Sequence, residues 1–222
     1  MQVMSKDEQY VAPPKKTPGT RRTPGLRLAA GGAVLALLVL SLGVVMHGNA
    51  SFAENYLSTQ LSEQRITFPS AEALAPEERT TTCLVHNAGK PLTTGKQAEC
   101  YANHFIGRHL KRIAGGKTYA EMRTVMTSLE SQIAEAQTRN DPAVADLQRQ
   151  LAAATGQRRT LLEGETVRGM LLTSFGFGNL GQKAGQAASV AYVAAGGLLL
   201  ASVVVLAVGV ISGRRRSVTE PR

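Results

Sequence analysis

The sequence predicts an all-α membrane protein, in which two transmembrane helices bracket an extracytoplasmic helical domain that contains an antiparallel helical hairpin. Three observations predict this fold class: two long apolar segments without charge, basic residues flanking both, and helical spacing of the apolar residues between them. The predicted order is a disordered basic tail, transmembrane helix 1, the extracytoplasmic domain, transmembrane helix 2 and a second basic tail. Their bounds are residues 1–27, 28–46, 47–186, 187–211 and 212–222.

Both apolar segments are long enough to cross a bilayer. The first has 19 residues with Ser41 as its only polar side chain, and the second has 25 residues and no charge. At a rise of about 1.5 Å per residue they extend about 28 and 37 Å, whereas a hydrocarbon core is about 30 Å thick. A buried helix of a soluble protein rarely has so long an uncharged run, so we interpret both segments as membrane-spanning.

The net charge of +9 is concentrated at the two ends of the chain. Residues 1–27 hold six Lys or Arg against two acidic residues, and residues 212–222 hold four against one. Basic residues on the same side of both spans follow the positive-inside rule, so we expect a plasma-membrane protein with both termini cytoplasmic and the middle outside. We expect the tails to contact anionic lipid, and no basic face indicates nucleic-acid binding.

A cleaved signal peptide is an alternative for the N-terminal part. A basic leader, an apolar run and the small residues of "NASFA" fit cleavage after Ala53. Both the leader and the run are longer than is usual for a signal peptide. Cleavage would leave a single C-terminal anchor and the same outer domain, and this alternative stays open at this point.

Apolar residues at helical spacing predict further helices outside the membrane. Transmembrane helix 1 is expected to continue outward, followed by a loop with at most one short helix and then by a helix over residues 97–113 that ends at "AGG". The outward continuation rests on four residues near one helical face: Phe52, Tyr56, Leu57 and Leu61.

Two amphipathic helices joined by a short turn predict the antiparallel hairpin. The first begins at a capping box formed by Thr118 and Glu121, and the second follows "RNDP", with Asp141 as N-cap and Pro142 in the first turn. The apolar residues recur every three or four positions in both helices: Met122, Met126, Leu129, Ile133 and Ala136, then Val144, Leu147, Leu151 and Ala154.

The spacing Gly176-x-Gly178-x-x-Gly181 is the one that many dinucleotide-binding sites use. Such a site requires a preceding strand and an acidic residue about 20 positions later, but a helical pattern precedes these glycines and Ala201 occupies the later position. We therefore expect no cofactor and interpret the glycines as a flexible or closely packed segment. Small residues spaced for close helix packing in lipid follow: Gly181, Gly185, Ala188, Ala191, Ala195 and Gly196. They would contact a partner or, alternatively, be satisfied within the chain by Gly31, Gly32 and Gly43 of the first span and by the helix after Cys100.

The two cysteines lie in the predicted outer domain. In an oxidising compartment two cysteines usually pair, and closing the loop between them would stabilise the fold by about 3 kcal/mol in the loop-entropy model. A disulfide between Cys83 and Cys100 is the first interpretation, and free thiols are the second. A zinc site is the third, with ligand types and spacings that tetrahedral zinc accepts: Cys83, His86, Cys100 and His104.

No residue set indicates catalysis. The chain lacks a nucleophile elbow, and most acidic residues fall among Lys and Arg on helix faces. Trp is absent and aromatic residues make up 5% of the chain, which disfavours a deep small-molecule pocket. We therefore expect neither an enzyme nor a small-molecule substrate.

Two stretches, "QAECYANHFIGRHLKRIAGGKTYAEM" and "LLEGETVRGMLLTSFGF", resemble uncharacterised two-span membrane proteins of high-GC Gram-positive (actinobacterial) bacteria. The resemblance covers about residues 97–180. It implies a location in the cell envelope and a hairpin topology, and it implies no activity and no site residues.

Two functions are compatible with these features. The first is a non-catalytic scaffold or accessory partner that contacts another membrane protein, or a second copy of itself, through its helices. The second is a sensor or ligand-binding ectodomain that signals through the membrane hairpin. The short cytoplasmic tails favour the first, because they leave little to carry an output.

Overall fold

The computed structural model describes residues 24–218, and this part of the chain is mostly helical. Residues 1–23 and 219–222 of the predicted tails lie outside the described residues. Within the described range, strand-like pairing is limited to an isolated bridge between Thr67 and Pro91. The helices are α1 (Pro24–Glu63), α2 (Pro76–Arg79), α3 (Thr82–Asn87), α4 (Gly95–Cys100), a π-helix (Tyr101–Ile106), α5 (Gly107–Ile113), α6 (Tyr119–Thr138) and α7 (Val144–Val218).

The chain divides into two compact units. The larger unit contains Leu40–Tyr192. The smaller unit contains the two chain ends, of which residues 24–39 and 193–218 are described. Helices α1 and α7 each contribute residues to both units.

Helices α1 and α7 are both long and apolar enough to cross a membrane. Only 17% of the most apolar window of α1 and 11% of that of α7 is buried. The core helix of a soluble protein would be mostly buried. Apolar side chains exposed to this extent favour contact with lipid. Both helices therefore fit a membrane protein.

Small residues buried at seven-residue intervals define one face of α1 and one face of α7. A seven-residue repeat keeps the same side of a helix toward a partner, and small side chains let two backbones approach closely. The buried small residues are Ala29, Ala36, Gly43 and Ala50 in α1, and Gly181, Ala188, Ala195 and Ser202 in α7. Leu57 continues the repeat of α1 with a large side chain.

In the larger unit this packing brings α1 and α7 into direct contact. A Cβ atom added at Gly181 would lie 2.9 Å from the Cβ of Ala53, and one added at Gly178 would lie 2.8 Å from Cδ2 of Leu57. The partner numbers rise along α1 as they fall along α7, so the two helices are antiparallel here. The space that a side chain would need at these glycines is already taken by α1.

The smaller unit is packed in the same manner. Ala36 and Ala195 are 0% and 1% exposed. Gly32 lies so close to Ser202 that an added Cβ would clash with the hydroxyl oxygen. That hydroxyl donates to the carbonyl of Leu198 over 2.8 Å, which satisfies it within its own helix.

Two hydrophobic clusters form the core of the larger unit. The first joins the outer end of α1 to the short helices and to α7, and the second joins α5 and α6 to the first part of α7. The first cluster contains Leu57, Leu61, Phe68, Leu74, Leu84, Leu92, Ala98, Cys100, Ala102 and Leu171. The second contains Leu110, Ala114, Met122, Leu129, Ala154 and Leu161.

Several helix ends follow the signals in the sequence. α6 begins at the predicted capping box, where the Thr118 amide donates to the Glu121 carboxylate over 2.7 Å and the Glu121 amide donates to the Thr118 hydroxyl over 3.3 Å. α5 ends shortly before Gly116, whose φ of 87° lies in the left-handed region that favours glycine. Ahead of α7, the Asp141 carboxylate accepts from the Ala143 amide over 2.8 Å.

The chain around the disulfide is more helical than the sequence patterns predicted. The segment over residues 66–82, which was expected to be a loop with one short helix, contains α2, and the unpredicted helix α3 begins at its end. The helix predicted over residues 97–113 is present as α4, the π-helix and α5 in succession. A π-helix widens the turn locally, and hydrophobic spacing alone does not distinguish it from an α-helix.

Helix α7 differs from the prediction because it is one continuous helix of 75 residues. The glycine-rich segment before the second span was expected to be flexible or closely packed. Glycine costs about 1 kcal/mol in a helix interior, which favours a break, but Gly178 and Gly181 lie where only a residue without a side chain fits against α1. Packing therefore overrides the local preference.

The outward continuation of α1 is present, with a different buried face from the predicted one. Leu57 and Leu61 are buried, whereas Phe52 and Tyr56 are 64% and 52% exposed. The buried face follows the seven-residue repeat from Ala50 to Leu57, which turns both aromatic rings outward. The two rings stack on each other with centroids 5.7 Å apart.

The α1–α7 contact predicts opposite effects for two glycine substitutions in the same helix. Gly181→Ala should destabilise the protein by about 1–3 kcal/mol, because the new methyl overlaps Ala53. Gly156→Ala should stabilise it by about 0.4–1 kcal/mol, because Gly156 has open space around it and alanine favours the helix. Denaturant unfolding in detergent measures both, and equal effects would contradict the packing at Gly181.

Candidate functional site

The glycine motif that resembles a dinucleotide fingerprint lies within α7. Gly176, Gly178 and Gly181 are all helical, so the chain there lacks the strand-to-helix turn on which a pyrophosphate would sit. Gly178 and Gly181 contact α1, and Gly176 has nothing within 4 Å of an added Cβ. The motif is therefore part of a helix-packing surface.

The predicted helix-packing residues of the larger unit face α1. An added Cβ at Gly185 would lie 3.6 Å from the Cβ of Ala50, and Gly181 contacts Ala53 as described above. Ala188 is 1% exposed. Ala191 also faces α1, because a Cβ added at Gly43 would lie 3.3 Å from the Cβ of Ala191.

In the smaller unit, the two remaining predicted residues differ from each other. Ala195 is 1% exposed, whereas Gly196 has nothing within 4 Å of an added Cβ. The alternative that the first span packs on α7 through its own glycines fits Gly32 and Gly43, which contact Ser202 and Ala191, whereas an added Cβ at Gly31 has nothing within 4 Å. The repeat Ala29, Ala36, Gly43 and Ala50 in α1 was a further signal in the sequence for this packing.

The cysteines are brought together as the first interpretation expected. The sulfur atoms of Cys83 and Cys100 lie 2.02 Å apart, at disulfide-bonding distance, and join α3 to the end of α4. Cys100 is 5% exposed and belongs to the first hydrophobic cluster. The bond therefore connects two helices of six residues each, which are too short to be stable alone.

The alternative zinc set is not assembled. Cys83 and Cys100 are bonded to each other, so neither sulfur is available as a ligand. Among the described residues, no three His, Cys, Asp or Glu side chains form a group that could hold a metal ion. His86 lies beside a shallow depression with Arg79, and His104 lies beside a different cleft.

A buried carboxylate that the sequence patterns did not indicate connects α2 to α5. Glu78 is 1% exposed, and its carboxylate accepts from the Ala75 amide over 3.0 Å and from Arg112 over 3.3 Å. The Nδ1 atom of His109 lies 3.6 Å away and 2.9 Å from the carbonyl of Phe105. A buried charge with these partners holds the two helices together, and removing one partner would leave the other unpaired.

Two groups with shifted pKa values have structural explanations. Burial raises the pKa of the Tyr101 phenol, whose ring packs between Phe68 and Phe105. Hydrogen bonds from the Thr118 amide and hydroxyl lower the pKa of the Glu121 carboxyl, as the capping box requires.

One cleft of the larger unit has a volume of about 370 Å³ and lies where α1, α4 and α7 meet. Apolar and uncharged polar residues line it together, and Glu54 and Lys96 are its charged residues. The uncharged polar residues are Asn55, Ser58, Thr93, Thr94, Asn179 and Gln182. These side chains offer hydrogen-bond donors and acceptors.

The second cleft has a volume of about 410 Å³ and is strongly basic. It lies among the π-helix, α5, the turn before α6, and α7. Glu165 is the one carboxylate in its lining. Four cationic side chains line it as well: Arg108, Lys111, Lys117 and Arg168. Sequence patterns did not indicate this cleft, because its residues come from three separate segments.

Exposed aromatic rings lie just outside the predicted spans. Tyr56 lies edge-on to Phe177 with centroids 6.3 Å apart, and Phe52 stacks on Tyr56. Phe52 and Tyr56 follow the predicted end of the first span by 6 and 10 residues, and Phe177 precedes the start of the second by 10. Both helices therefore carry aromatic residues at a similar distance from the predicted membrane.

Comparison of the chain with family models, with curated proteins and with solved structures finds no match. The geometry of the chain is therefore the basis for assigning a function.

The disulfide predicts a measurable loss of stability on reduction. Replacing both Cys83 and Cys100 by Ser should lower the free energy of unfolding by about 2–4 kcal/mol, because the unfolded chain loses a loop constraint. Thermal unfolding with and without reductant measures this, and the double variant should not respond to reductant. Mass analysis under non-reducing conditions should show one intrachain link, and ready alkylation of both thiols without reductant would contradict it.

Proposed function

We propose that this chain is a non-catalytic envelope membrane protein that acts as a scaffold or accessory partner through helix–helix contact. One observation carries this proposal: apolar side chains of α7 are exposed far from the predicted second span. Leu162, Val167 and Met170 are 47%, 42% and 64% exposed. Isolated exposed apolar residues are common, but three within three turns of one helix form a surface for a partner.

The length of α7 places this surface out of reach of lipid. Met170 and Leu162 precede Ala187, the predicted start of the span, by 17 and 25 residues. In a continuous helix these intervals correspond to about 26 and 38 Å. Lipid tails of the same membrane do not extend so far, so a second protein is the occupant that would cover these side chains.

A repeat of glycine and large apolar residues supports a helical partner. Gly169 and Gly176 lie seven residues apart, both have open space around an added Cβ, and each is followed by a large apolar residue, Met170 or Phe177. A seven-residue repeat of this kind suits a second helix, with close approach at the glycines and side-chain contact beside them. The partner is another membrane protein or a second copy of this chain.

The small residues predicted for partner contact are now assigned a different role. Ala188 and Ala195 are buried within the chain, so leucine at either position would disrupt the intrachain helix pair first. Gly196 and Gly197 have open space and are available for contact inside the membrane. The proposed partner surface is therefore the exposed outer part of α7.

The membrane location and topology belong to the same proposal. The length and apolar composition of α1 and α7 support two spans that enter the bilayer at about Met46 and Ala187. A disulfide supports an oxidising compartment for the domain between the spans. Basic tails then place both termini in the cytoplasm, with α6 and the first part of α7 as the extracytoplasmic hairpin.

A sensor or ligand-binding ectodomain is the second candidate. The basic cleft among α5, α6 and α7 is the observation that favours it. The continuous α7 helix would connect such a cleft directly to the second span. This candidate differs from the first in requiring a ligand for the outer domain.

The proposed topology predicts the behaviour of compartment-specific reporters. A reporter that is active only in the cytoplasm should be active when fused after Arg222 and silent when inserted at Asn140. Asn140 is suited to insertion because it is exposed in the turn between α6 and α7. Activity at Asn140 would place the domain inside the cell and would contradict the whole arrangement.

The proposed contact predicts that charge on the exposed face of α7 separates the complex. Leu162→Glu combined with Met170→Glu should abolish association, because two carboxylates would have to be buried at the interface. The control is Gln157→Glu, an exposed polar position on the same helix, which should leave association unchanged. Light scattering in mild detergent and crosslinking in intact cells measure the association.

Two results would contradict the contact. The first is a wild-type chain that is monomeric in mild detergent and captures nothing on crosslinking in cells. The second is an association that the paired glutamates and the control affect equally.

A further inference from the structure

We propose that the basic cleft of the larger unit binds the phosphoryl group of a soluble phosphorylated molecule. The cleft holds about 410 Å³, which lies within the range of small-molecule sites. A free phosphate ion would fill only part of this volume, so the cleft has room for the organic body to which the phosphoryl group is attached. The inference is independent of the partner-contact surface on α7.

The charge of the cleft is unbalanced. Its lining contains four cationic side chains and one carboxylate, and that carboxylate, Glu165, is paired with Arg168 over 3.1 Å. The Arg108 guanidinium donates to the backbone carbonyl of Glu77 over 2.6 Å, which leaves its positive charge uncompensated. Three positive charges therefore lack a carboxylate partner in the lining, and like charges gathered in a cleft favour a multivalent anion.

The two lysines of the cleft have room to contact such an anion. The Lys111 side chain makes no hydrogen bond or ion pair with any described residue, and Lys117 contributes only a minor lowering of the Glu121 pKa. Both side chains are exposed at the rim. A phosphate monoester carries a charge of about −1.5 to −2 at neutral pH, which matches such a set better than a single carboxylate does.

Arg168 provides a positioned donor beside these lysines. Its Nη1 atom is bound to Glu165 and its Nη2 atom donates to Asn103 Oδ1 over 3.2 Å, so the guanidinium is held in one orientation. Its Nε atom is buried beside Gly107, so the second hydrogens of Nη1 and Nη2 are the donors left for an anion. Arginine held in this way recognises phosphate oxygens with defined geometry, whereas a lysine acts as a mobile point charge.

The backbone around the cleft has two further features that suit an anion. Asn103 and His104 belong to the π-helix, and π-helical turns occur frequently at functional sites. Gly116 turns the chain so that Lys117 and Thr118 bring the N-terminus of the 20-residue helix α6 to the cleft. Because Glu121 already caps that helix, this segment offers an anion the Lys117 ammonium and the Thr118 side chain.

The position of the cleft favours a soluble molecule over a lipid headgroup. Arg168 precedes Ala187, the predicted start of the second span, by 19 residues of continuous helix. This interval corresponds to about 28 Å, so headgroups of the protein's own membrane do not reach the cleft.

The test is calorimetric titration of the full-length chain in detergent. The probes are inorganic phosphate and glycerol 3-phosphate, compared with chloride at equal ionic strength. We expect phosphate to bind and glycerol 3-phosphate to bind more tightly. Arg168→Gln and Lys111→Gln should each weaken phosphate binding at least tenfold. Lys183→Gln, which removes an exposed cation of α7 outside the cleft, should leave it unchanged.

Lys111→Gln keeps the test decisive if Arg168→Gln destabilises the fold, because the Lys111 side chain makes no contact that the fold requires. Binding of phosphate no tighter than of chloride would overturn the proposal. Equal affinities in Lys111→Gln and Lys183→Gln would do the same. Binding to phosphatidic acid vesicles, with no binding of either soluble probe, would overturn the assignment of a soluble ligand.

Discussion

The rest of the larger unit depends on the close contact between α1 and α7. Gly178 and Gly181 have no room for a side chain, because Leu57 and Ala53 of α1 occupy that space. This contact fixes the outer end of α1, and it thereby places Leu61 in the same cluster as Leu171 of α7. The short helices pack against these residues.

Those short helices require tertiary contacts, because helices of four to seven residues are unstable alone. The disulfide joins α3 to α4, and the buried Glu78 carboxylate joins α2 to α5 through Arg112. α7 then supplies Leu171 to one hydrophobic cluster and Leu161 to the other. One long helix therefore contributes to both hydrophobic clusters of this unit.

Local signals made much of this structure predictable. The capping box of Thr118, the stop near Gly116 and the pairing of the two cysteines depend on residues close in sequence or on their small number. The continuity of α7 and the outward turn of Phe52 were not predictable in the same way, because both depend on a repeat in α1 that has meaning only with its partner helix. The basic cleft likewise depends on three segments that are distant in sequence.

The glycines of α7 divide by their surroundings, and the division has an energetic consequence. A glycine in a helix interior costs about 1 kcal/mol relative to alanine. At Gly181 the close contact with α1 offsets that cost. Alanine could not make this contact, because its methyl group would overlap Ala53. At Gly169 and Gly176 nothing within the described chain offsets it, since an added Cβ would meet open space. A second helix seated against these two positions would offset the cost in the same way that α1 does at Gly181.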